Sequence, residues 1–421
     1  MIINRRSIVS NIAYLFSASA GSQALTAVAL LLTARQLGPE AYGQYTACIV
    51  LVNFASIAFS LGLNIWFVHQ ASRQPSLHAR LFGSVVLVKL SFGLIWAIVT
   101  FGLASLINSN AFPKDLLRVT ILVVLFDNLF ITMLAPFRAS LRNQVASIFM
   151  IGSDLAWVLA TIYLNFQGED QAIEYMRVRV LIMLFSALIA GAFIWRTIHP
   201  QPQTTIARRA IRETLPFAAS EFLLMSSMRI DVLIVAMLLG KTATGLYAPS
   251  VSLVNALFLP LGAVSSVMMP VLSNLFTQNI QQAWITARRS IWLHLALGVI
   301  LTLSLVVSAP YLIALLGTRF AGSLEILYII STITLFHSIS IAMTNILIAT
   351  QQQSQRAIIQ AISVFFTIVM DLIVAQRANI RGVAIVYVVT ELFLMLGYIG
   401  LVLRYRSKHA GTPANLTLAK P

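Results

Sequence analysis

The chain has few charged residues and almost no cysteine. Only 10% of its 421 residues are charged, 59% are hydrophobic, and Cys48 is the one cysteine. Because soluble domains carry roughly a quarter charged residues, this composition excludes an ordinary water-soluble fold. A single cysteine also excludes a disulfide within the chain, a CxxC redox pair and a thiolate metal site.

Signatures of catalysis are missing as well. The sequence contains no Walker loop, HExxH, GxSxG or dinucleotide-binding fingerprint. Its one adjacent acidic pair, Glu169 and Asp170, lies in a short predicted loop. We therefore expect no enzyme activity, no cofactor and no bound metal, and an energy source other than ATP.

Long apolar segments are what the sequence has in abundance. Most of them are at least about 20 residues long, which is the length that crosses a hydrocarbon core of about 30 Å. Their polarity does not alternate at every second residue, so they are read as helices and not as barrel strands. The sequence predicts an all-α polytopic membrane protein with about 12 transmembrane helices. The predicted spans are 8–34, 44–67, 80–107, 116–137, 145–166, 177–195, 214–239, 246–272, 290–316, 324–349, 357–376 and 382–403.

The basic residues orient these helices. Lysine and arginine are retained on the cytoplasmic side of short loops, and most of the 28 basic residues fall on one side of the predicted topology. This distribution places both termini in the cytoplasm. The net charge of +15 then reflects topology and contact with anionic membrane lipids, and not binding of nucleic acid.

Two matching segments divide the chain into halves. Leu37–Asn53 and Leu239–Asn255 share eight of seventeen positions. Because each half has an even number of predicted helices, the halves enter the membrane in the same orientation. We therefore predict two parallel six-helix bundles. The predicted divisions are an N-terminal bundle at 1–200, a cytoplasmic linker at 201–213, a C-terminal bundle at 214–405 and a polar cytoplasmic tail at 406–421.

Four segments carry a resemblance to a known family. They are "TARQLGPEAYGQY" at Thr33–Tyr45, "LGLN" at Leu61–Asn64, "RIDVLIVAMLLGKTATGLYAPSVSLV" at Arg229–Val254 and "MMPVLSNLF" at Met268–Phe276. These segments resemble the Wzx-type polysaccharide exporters of the multidrug/oligosaccharidyl-lipid/polysaccharide exporter superfamily. The specific motifs occupy predicted helices one, two, seven and eight.

The resemblance implies a flippase of the bacterial inner membrane. Such a protein moves an undecaprenyl-diphosphate-linked oligosaccharide from the cytoplasmic to the periplasmic leaflet, for O-antigen, capsule or exopolysaccharide assembly. It implies a MATE-like pair of bundles around a V-shaped lumen with alternating access, working beside a polysaccharide polymerase and a chain-length regulator.

A drug antiporter is the competing hypothesis. A cation-coupled multidrug antiporter of the same superfamily also has twelve helices in two similar halves. The lumen of an antiporter should be acidic with few bases, whereas bases accompany the acids here. The energy source stays open between a proton gradient, a sodium gradient and consumption of the product downstream.

Intramembrane polar residues are the candidate site, because each is costly at the bilayer centre and tends to face a bundle interior or water. Bases can bind a diphosphate or an acidic sugar, amides can bind hydroxyls, and buried acids can carry a coupling ion. Each could instead pair with a neighbouring helix for structural reasons. The substrate candidates are Arg229, Lys89, Asn53, Asn255 and Glu221. The coupling-ion candidates are Asp127, Asp154, Asp231 and Glu391.

Three further expectations concern single positions. Tyr45 and Tyr247 should lie at the boundary between water and lipid, beside tight glycine turns. Arg229 and Asp231 are two residues apart, so they should face opposite sides of a helix and have different neighbours. Asp371, close to the predicted outer end of helix eleven, should be a solvated or structural acid.

Overall fold

The computed structural model describes the backbone of residues 5–107, 109–140 and 142–409. Side chains are described over the same ranges apart from 5–20, 75 and 409. Within these ranges the chain is almost entirely α-helical, and its one β-type contact is an isolated bridge between Ser109 and Phe112. The prediction of an all-α fold is confirmed.

Thirteen α-helices account for most of the described residues. They are α1 (Arg5–Ser60), α2 (Leu63–Arg73), α3 (His78–Ala104), α4 (Lys114–Ala139), α5 (Asn143–Phe166), α6 (Ala172–Ile198), α7 (Thr204–Leu238), α8 (Gly240–Ala256), α9 (Phe258–Gln278), α10 (Ile280–Leu316), α11 (Ser323–Ser331), α12 (Ile333–Ala349) and α13 (Gln353–His409). Short 3-10 turns at Pro75–Leu77 and Thr318–Phe320 precede α3 and α11.

Nine helical stretches of the described chain are long and apolar enough to cross a membrane. All twelve predicted spans overlap helices, but α13 contains two of them, and α1 contains the first and most of the second. A single non-helical residue breaks each of these long helices, Gly38 in α1 and Asn379 in α13. The protein is therefore a multi-pass membrane protein, as the hydrophobic segments predict.

The predicted second span is cut near its end. Leu61 and Gly62 have φ values of 50° and 66° and separate α1 from α2. A side chain at Gly62 would clash with Phe217 of α7, since its Cβ would lie 2.6 Å from the Phe217 Cβ. The break therefore combines a left-handed backbone with a close approach of α7, and glycine permits both.

The structure corrects the prediction of a linker at 201–213, because most of these residues are helical. Helix α7 begins at Thr204, ten residues before the predicted start of the seventh span at 214. Apolar side chains explain the extension: Ala207 and Ala210 are buried in the core of this region. The remaining connection is anchored, since the Ser84 hydroxyl donates to the carbonyl of Gln203 and accepts from its N–H.

The chain forms two compact units that share α7. The first unit comprises residues up to 225 together with 240–245, and the second comprises 226–239 and the residues from 246 onward. In the first unit, Trp66, Phe67 and Phe82 lie in a core formed by α2, α3, α4 and their neighbours. The separation into two six-helix halves stays a prediction about topology.

Each unit has an inner core and an apolar outer surface. The core of the second unit contains Leu272 of α9, Ile346 of α12 and Tyr398 of α13. Large apolar side chains also lie on the surface, such as Phe166, which is 86% exposed, and Val307, which is 71% exposed. Helices that are apolar on their outer faces suit a lipid environment, because hydrocarbon does not penalise exposed apolar groups.

Candidate functional site

The nine predicted site residues all lie in the described ranges and divide between the units. The first unit contains Asn53, Lys89, Asp127, Asp154 and Glu221. The second contains Arg229, Asp231, Asn255 and Glu391. Neither set lies on a single helix, so the surroundings of each depend on how the helices of its own unit pack.

Lys89 of α3 is fully buried. Its Nζ donates a hydrogen bond of 3.4 Å to Oδ1 of Asn128 and lies 5.5 Å from the centre of the Phe59 ring. The ammonium group also interacts electrostatically with Asp127 and Glu221. The side chain therefore points into the first unit and does not extend outward along the membrane surface.

The two acids of α4 and α5 differ in their surroundings. Asp154 accepts a short hydrogen bond from the Ser22 hydroxyl and a weaker one of 3.4 Å from Thr26. Asp127 accepts no hydrogen bond from any residue that the structure describes, but its charge interacts with Arg179, Asp154 and Lys89. Helix α1 thus supplies hydroxyl donors to one acid, whereas the other is balanced by charges alone.

Arg179 of α6 joins this group. Its Nη1 donates to the Tyr45 hydroxyl at 3.2 Å, and its guanidinium lies 5.2 Å from the Trp157 ring centre. Its charge interacts with those of Asp127 and Asp154. Arginine keeps its charge under all ordinary conditions, so Arg179 is a permanent cation beside the two acids.

Glu221 of α7 and Asn53 of α1 complete the set in the first unit. Glu221 accepts hydrogen bonds from the Ser60 hydroxyl at 3.3 and 3.2 Å. The Asn53 side chain is half-buried and makes no hydrogen bond within the described part of the chain, while its backbone carbonyl accepts from Ser56. An amide with free donors and an acceptor can bind a hydroxyl-rich ligand.

We call five of these side chains the mixed-charge cluster. They are the two bases and three acids that the electrostatic interactions above connect: Lys89, Arg179, Asp127, Asp154 and Glu221. Alternation of sign lowers the cost of placing charges in an apolar bundle, because each charge has an opposite one nearby. Such a cluster can bind polar or charged ligands without leaving large uncompensated charge.

In the second unit, Arg229 and Asp231 have different neighbours, as their spacing predicts. Arg229 Nη1 is 3.4 Å from the Ser252 hydroxyl of α8. Asp231 is buried, and it accepts hydrogen bonds from the Tyr247 hydroxyl at 2.6 Å and from the backbone N–H of Val232 at 2.8 Å. Asp231 is thus held in place, while Arg229 keeps donors for another partner.

Glu391 of α13 pairs with a histidine. Its Oε1 lies 2.7 Å from Nδ1 of His337 in α12, and that imidazole stacks on Phe258 with 3.8 Å between ring centres. Asn255 at the end of α8 has a buried Oδ1 without a hydrogen-bond partner in the described part of the chain. The amide oxygen can accept a hydrogen bond from a ligand.

Comparison with protein families identifies the chain's relatives. The sequence profile described as "polysaccharide biosynthesis protein" matches residues 32–290. The chain belongs to this family. The match covers both copies of the repeated segment and every predicted site residue except Glu391. A search of curated proteins finds no match.

Solved structures show the fold of this polysaccharide biosynthesis family member. An inward-facing multidrug-resistance MATE transporter is 14% identical, with a TM-score of 0.77 over 93% of this chain and 96% of its own. A transporter of the MOP superfamily from Pyrococcus furiosus, described as having a binding pocket of reverse polarity, is 12% identical with a TM-score of 0.67 over 96% of both chains. A eukaryotic MATE transporter is 13% identical, with a TM-score of 0.64 over 94% of this chain and 96% of its own. Family and fold together indicate a membrane transporter.

Asp371 of this family member lies inside the second unit. Its side chain is fully buried, and neither carboxyl oxygen has a hydrogen-bond partner among the described residues. Its charge interacts with that of Asp231. Of the two predicted possibilities, a solvated or a structural acid, this burial excludes the solvated one.

The structure also corrects the predicted position of the two repeated tyrosines. Tyr45 and Tyr247 are both fully buried and do not lie at a surface. Each makes its hydrogen bond to a charged side chain, Tyr45 to Arg179 and Tyr247 to Asp231. Tyrosine is common at membrane boundaries, but here each hydroxyl is buried because it supplies a hydrogen bond to a charged side chain inside the protein.

Two helical glycines of the repeated segments allow close packing beside these tyrosines. A Cβ at Gly43 would overlap the backbone carbonyl of Lys241, and a Cβ at Gly245 would overlap that of Pro39. In the repeat, Gly43 aligns with Gly245 and Pro39 with Lys241, so the two contacts are reciprocal. An ion pair of 2.8 Å between Lys241 and Glu40 lies beside them. The repeated segments pack on each other, because small residues let two backbones approach closely.

Sequence reasoning missed Arg179, although the signal was present. Arg177 and Arg179 are two residues apart and face opposite sides of α6. Arg177 pairs with Glu174 one turn earlier on the exposed side. Arg179 has no such neighbour in the sequence, so the same periodicity points it toward the interior of the unit.

Proposed function

We propose that this protein is a flippase for an undecaprenyl-diphosphate-linked oligosaccharide. It moves the repeat unit from the cytoplasmic to the periplasmic leaflet of the bacterial inner membrane by alternating access. The product then enters O-antigen, capsule or exopolysaccharide assembly. The polypeptide carries out no covalent chemistry in this process.

One observation carries the proposal: a family member devoted to polysaccharide biosynthesis holds a mixed-charge cluster inside a unit built from apolar helices. A glycan that crosses hydrocarbon loses its hydrogen bonds to water, at a cost of several kcal/mol for each unpaired group. Side chains that donate and accept hydrogen bonds along the path offset this cost. The lipid tail of the carrier needs no such path.

The bases and amides are proposed to bind the substrate. Lys89 and Arg229 suit the diphosphate or an acidic sugar, since both present N–H donors with positive charge. Asn53, Asn255 and Glu221 suit sugar hydroxyls. The unpaired Oδ1 of Asn255 supports this role, because a buried acceptor without a partner is costly until a ligand donates to it.

The acids are proposed to couple transport to an ion gradient. Asp127, Asp154, Asp231 and Glu391 can each bind a proton or a sodium ion. Binding of that ion at Asp127 or Asp154 changes the balance of charge around Lys89 and Arg179. Downstream consumption of the product is the alternative energy source, and it requires none of the four acids.

The same proposal predicts the orientation of the chain in the membrane and its partners. Both termini lie in the cytoplasm, and the basic cytoplasmic segments contact anionic lipids of the inner membrane. A polysaccharide polymerase and a chain-length regulator are the proposed partners. Nucleic acid is not a partner.

A cation-coupled multidrug antiporter is the second candidate. The likeness in fold to multidrug-resistance MATE transporters supports it. The fully buried Lys89 and the permanent cation Arg179 count against it, because an organic cation would be repelled by both. The flippase is therefore preferred.

Deletion and complementation in the native host test the choice. We expect deletion to abolish one surface glycan and to leave its lipid-linked repeat unit inside the cell. Wild type should restore the glycan, while Arg229→Ala should restore at most about a tenth, since losing one charged hydrogen bond of about 1.5 kcal/mol changes binding about tenfold. Arg196→Ala on an exposed turn of α6 is the control and should restore it fully.

Membrane levels of every variant are matched by immunoblot before glycan is compared. If deletion leaves all surface glycans intact and sensitises the cells to cationic drugs, the antiporter replaces the flippase. If deletion removes the glycan and Arg229→Ala restores it fully, the flippase stands and Arg229 loses its assigned role.

A further inference from the structure

A cavity of about 590 Å³ lies between α2 and α4 in the first unit. Its size is within the range of roughly 300–1,000 Å³ that is usual for sites binding small ligands. Ile65, Val68 and Ile131 form an apolar wall. Arg73 and Arg138 line the same cavity. None of the nine candidate site residues borders it.

The two arginines form a basic end. Arg73 is in the last turn of α2, and Arg138 is in the last turn of α4. Neither makes an ion pair within the part of the chain that the structure describes. Arg138 Nη2 is 3.5 Å from the sulfur of Met150, a weak acceptor, and its Nε is buried without a hydrogen bond. The donors of these guanidinium groups are therefore available to an anion.

Phosphate oxygens match guanidinium groups in geometry and charge, and a hydrocarbon chain matches the apolar wall. A planar guanidinium can donate two parallel hydrogen bonds to one phosphate. Ile65 is 53% exposed and offers apolar surface beside the basic end. His69 and Ser72 add polar groups to the lining. The combination fits a phosphate ester that carries an apolar chain better than it fits either part alone.

We propose that the cavity between α2 and α4 is a docking site for the diphosphate and the adjoining isoprenoid of the lipid carrier. This inference rests on the proposed function and adds a location that is separate from Lys89 and Arg229. Both arginines lie at helix ends that the topology predicts to be cytoplasmic. The substrate would thus be captured by its head on the side where it is made.

Binding of farnesyl diphosphate to the purified full-length protein tests the site. This probe joins a diphosphate to three isoprene units, and microscale thermophoresis in detergent gives its affinity. We expect Arg73→Gln and Arg138→Gln each to weaken binding about tenfold, since one charged hydrogen bond contributes about 1.5 kcal/mol. Arg138→Lys should weaken it less, because the charge stays and only the fork is lost.

Two controls separate binding from stability. Arg196→Gln removes an exposed arginine of α6 outside the cavity and should bind like wild type. Thermal unfolding of each variant reports on folding, because arginines at helix ends also interact with the helix dipole. If Arg73→Gln or Arg138→Gln melts like wild type and also binds like wild type, the proposal is overturned.

Two further ligands identify the source of the phosphate. Inorganic pyrophosphate lacks the chain and should bind at least tenfold more weakly than farnesyl diphosphate. Equal binding would refute the role of the apolar wall. Vesicles of phosphatidylglycerol should compete poorly, and competition as strong as that of farnesyl diphosphate would make the cavity a general lipid site and overturn the assignment.

Complementation separates this proposal from the proposed function. If wild type restores the glycan and the Arg73→Gln, Arg138→Gln double variant restores it equally well at matched levels, the flippase stands and the docking site fails. If deletion of the gene affects no glycan, the flippase itself fails. The expected result is restoration by wild type and by Arg196→Gln, with less than a tenth from the double variant.

Discussion

The two copies of the repeated segment use the same tyrosine in opposite ways. Tyr45 accepts a hydrogen bond from the cation Arg179, whereas Tyr247 donates one to the anion Asp231. A phenol can do both, because its hydroxyl is a donor and an acceptor. The residue is thus shared by the two segments while the charge it serves has changed sign.

The charged residues near the two tyrosines also differ between the units. In the first unit, Lys89 and Arg179 balance the acids. In the second, Asp231 and Asp371 interact with each other, and Arg229 is the base acting on Asp231. A duplicated frame therefore carries two different polar sets, and equivalence in sequence is no guide to equivalence in chemistry.

The largest expected effect comes from the feature that the copies share most closely. Gly43→Ala and Gly245→Ala should each destabilise the protein by about 3 kcal/mol, because a Cβ at either position meets a backbone carbonyl that cannot rotate away. Thermal unfolding in detergent measures this. Gly152→Ala and Gly262→Ala place a Cβ where nothing lies within 4 Å, and they should melt like wild type. A large loss at only one of the two glycines would show that the contact is not reciprocal in solution.

Removal of the tyrosine hydroxyls tests the difference in sign. Tyr247→Phe should cost about 2 kcal/mol, because buried Asp231 keeps only its backbone donor. Tyr45→Phe should cost about 1 kcal/mol, because Arg179 keeps the Trp157 ring and the nearby acids. The control is Tyr311→Phe, since Tyr311 is 74% exposed. The reverse order of the two losses would contradict this account.

Replacing the acids Asp154 and Asp371 by asparagine should give a smaller difference in stability. Asp154→Asn disturbs hydrogen bonds from Ser22 and Thr26 and a charge interaction with Arg179, so it should cost about 1 kcal/mol. Asp371→Asn removes no hydrogen bond seen in the described part of the chain and replaces a buried, unpaired carboxyl by a neutral amide, so it should destabilise the protein less than Asp154→Asn does. Urea or thermal unfolding at one pH decides between them, and a greater loss from Asp371→Asn would reveal a partner for this acid.

The smallest effect concerns α7, the helix that both units share. Hydrogen bonds from Arg209 and then Trp66 lower the pKa of Glu213 below its ordinary value of 4.5. A lowered pKa stabilises the fold above pH 4.5, and this contribution is lost as the pH falls through the folded pKa. Glu213→Gln should thus cost less than about 0.5 kcal/mol at pH 7, and this cost should shrink as the pH falls below 4.5. A cost that did not change with pH would have another origin.

Hydropathy alone predicted the class of fold and the position of the helices. The apolar segments overlap α1 to α13 because a membrane demands about 20 apolar residues for each crossing. The break at Asn379 lies between the predicted spans 357–376 and 382–403, whereas the break at Leu61 was not predicted, since leucine rarely adopts a positive φ. The helical start of α7 was missed because a polar, proline-containing segment resembles a linker until its alanines are seen to be buried.

The candidate site was predicted as residue types and not as an arrangement. Polarity within predicted helices pointed to Lys89 and Asp127, which do interact. It left Asp371 between a solvated and a structural acid, because distance from a helix end says nothing about what packs around that end. It missed Arg179 and the cavity beside Arg138, since both depend on contacts between helices that are distant in sequence.

The reciprocal glycine contact has the form of an isologous interface. When two identical subunits pair about a twofold axis, residue i of one meets residue j of the other and j meets i. Here Gly43 meets Lys241 and Gly245 meets Pro39, and the aligned positions are the same two. The fold thus preserves, within one polypeptide, the self-complementary contact of a homodimer. A side chain added at either glycine therefore meets the backbone four residues before the aligned glycine of the other segment.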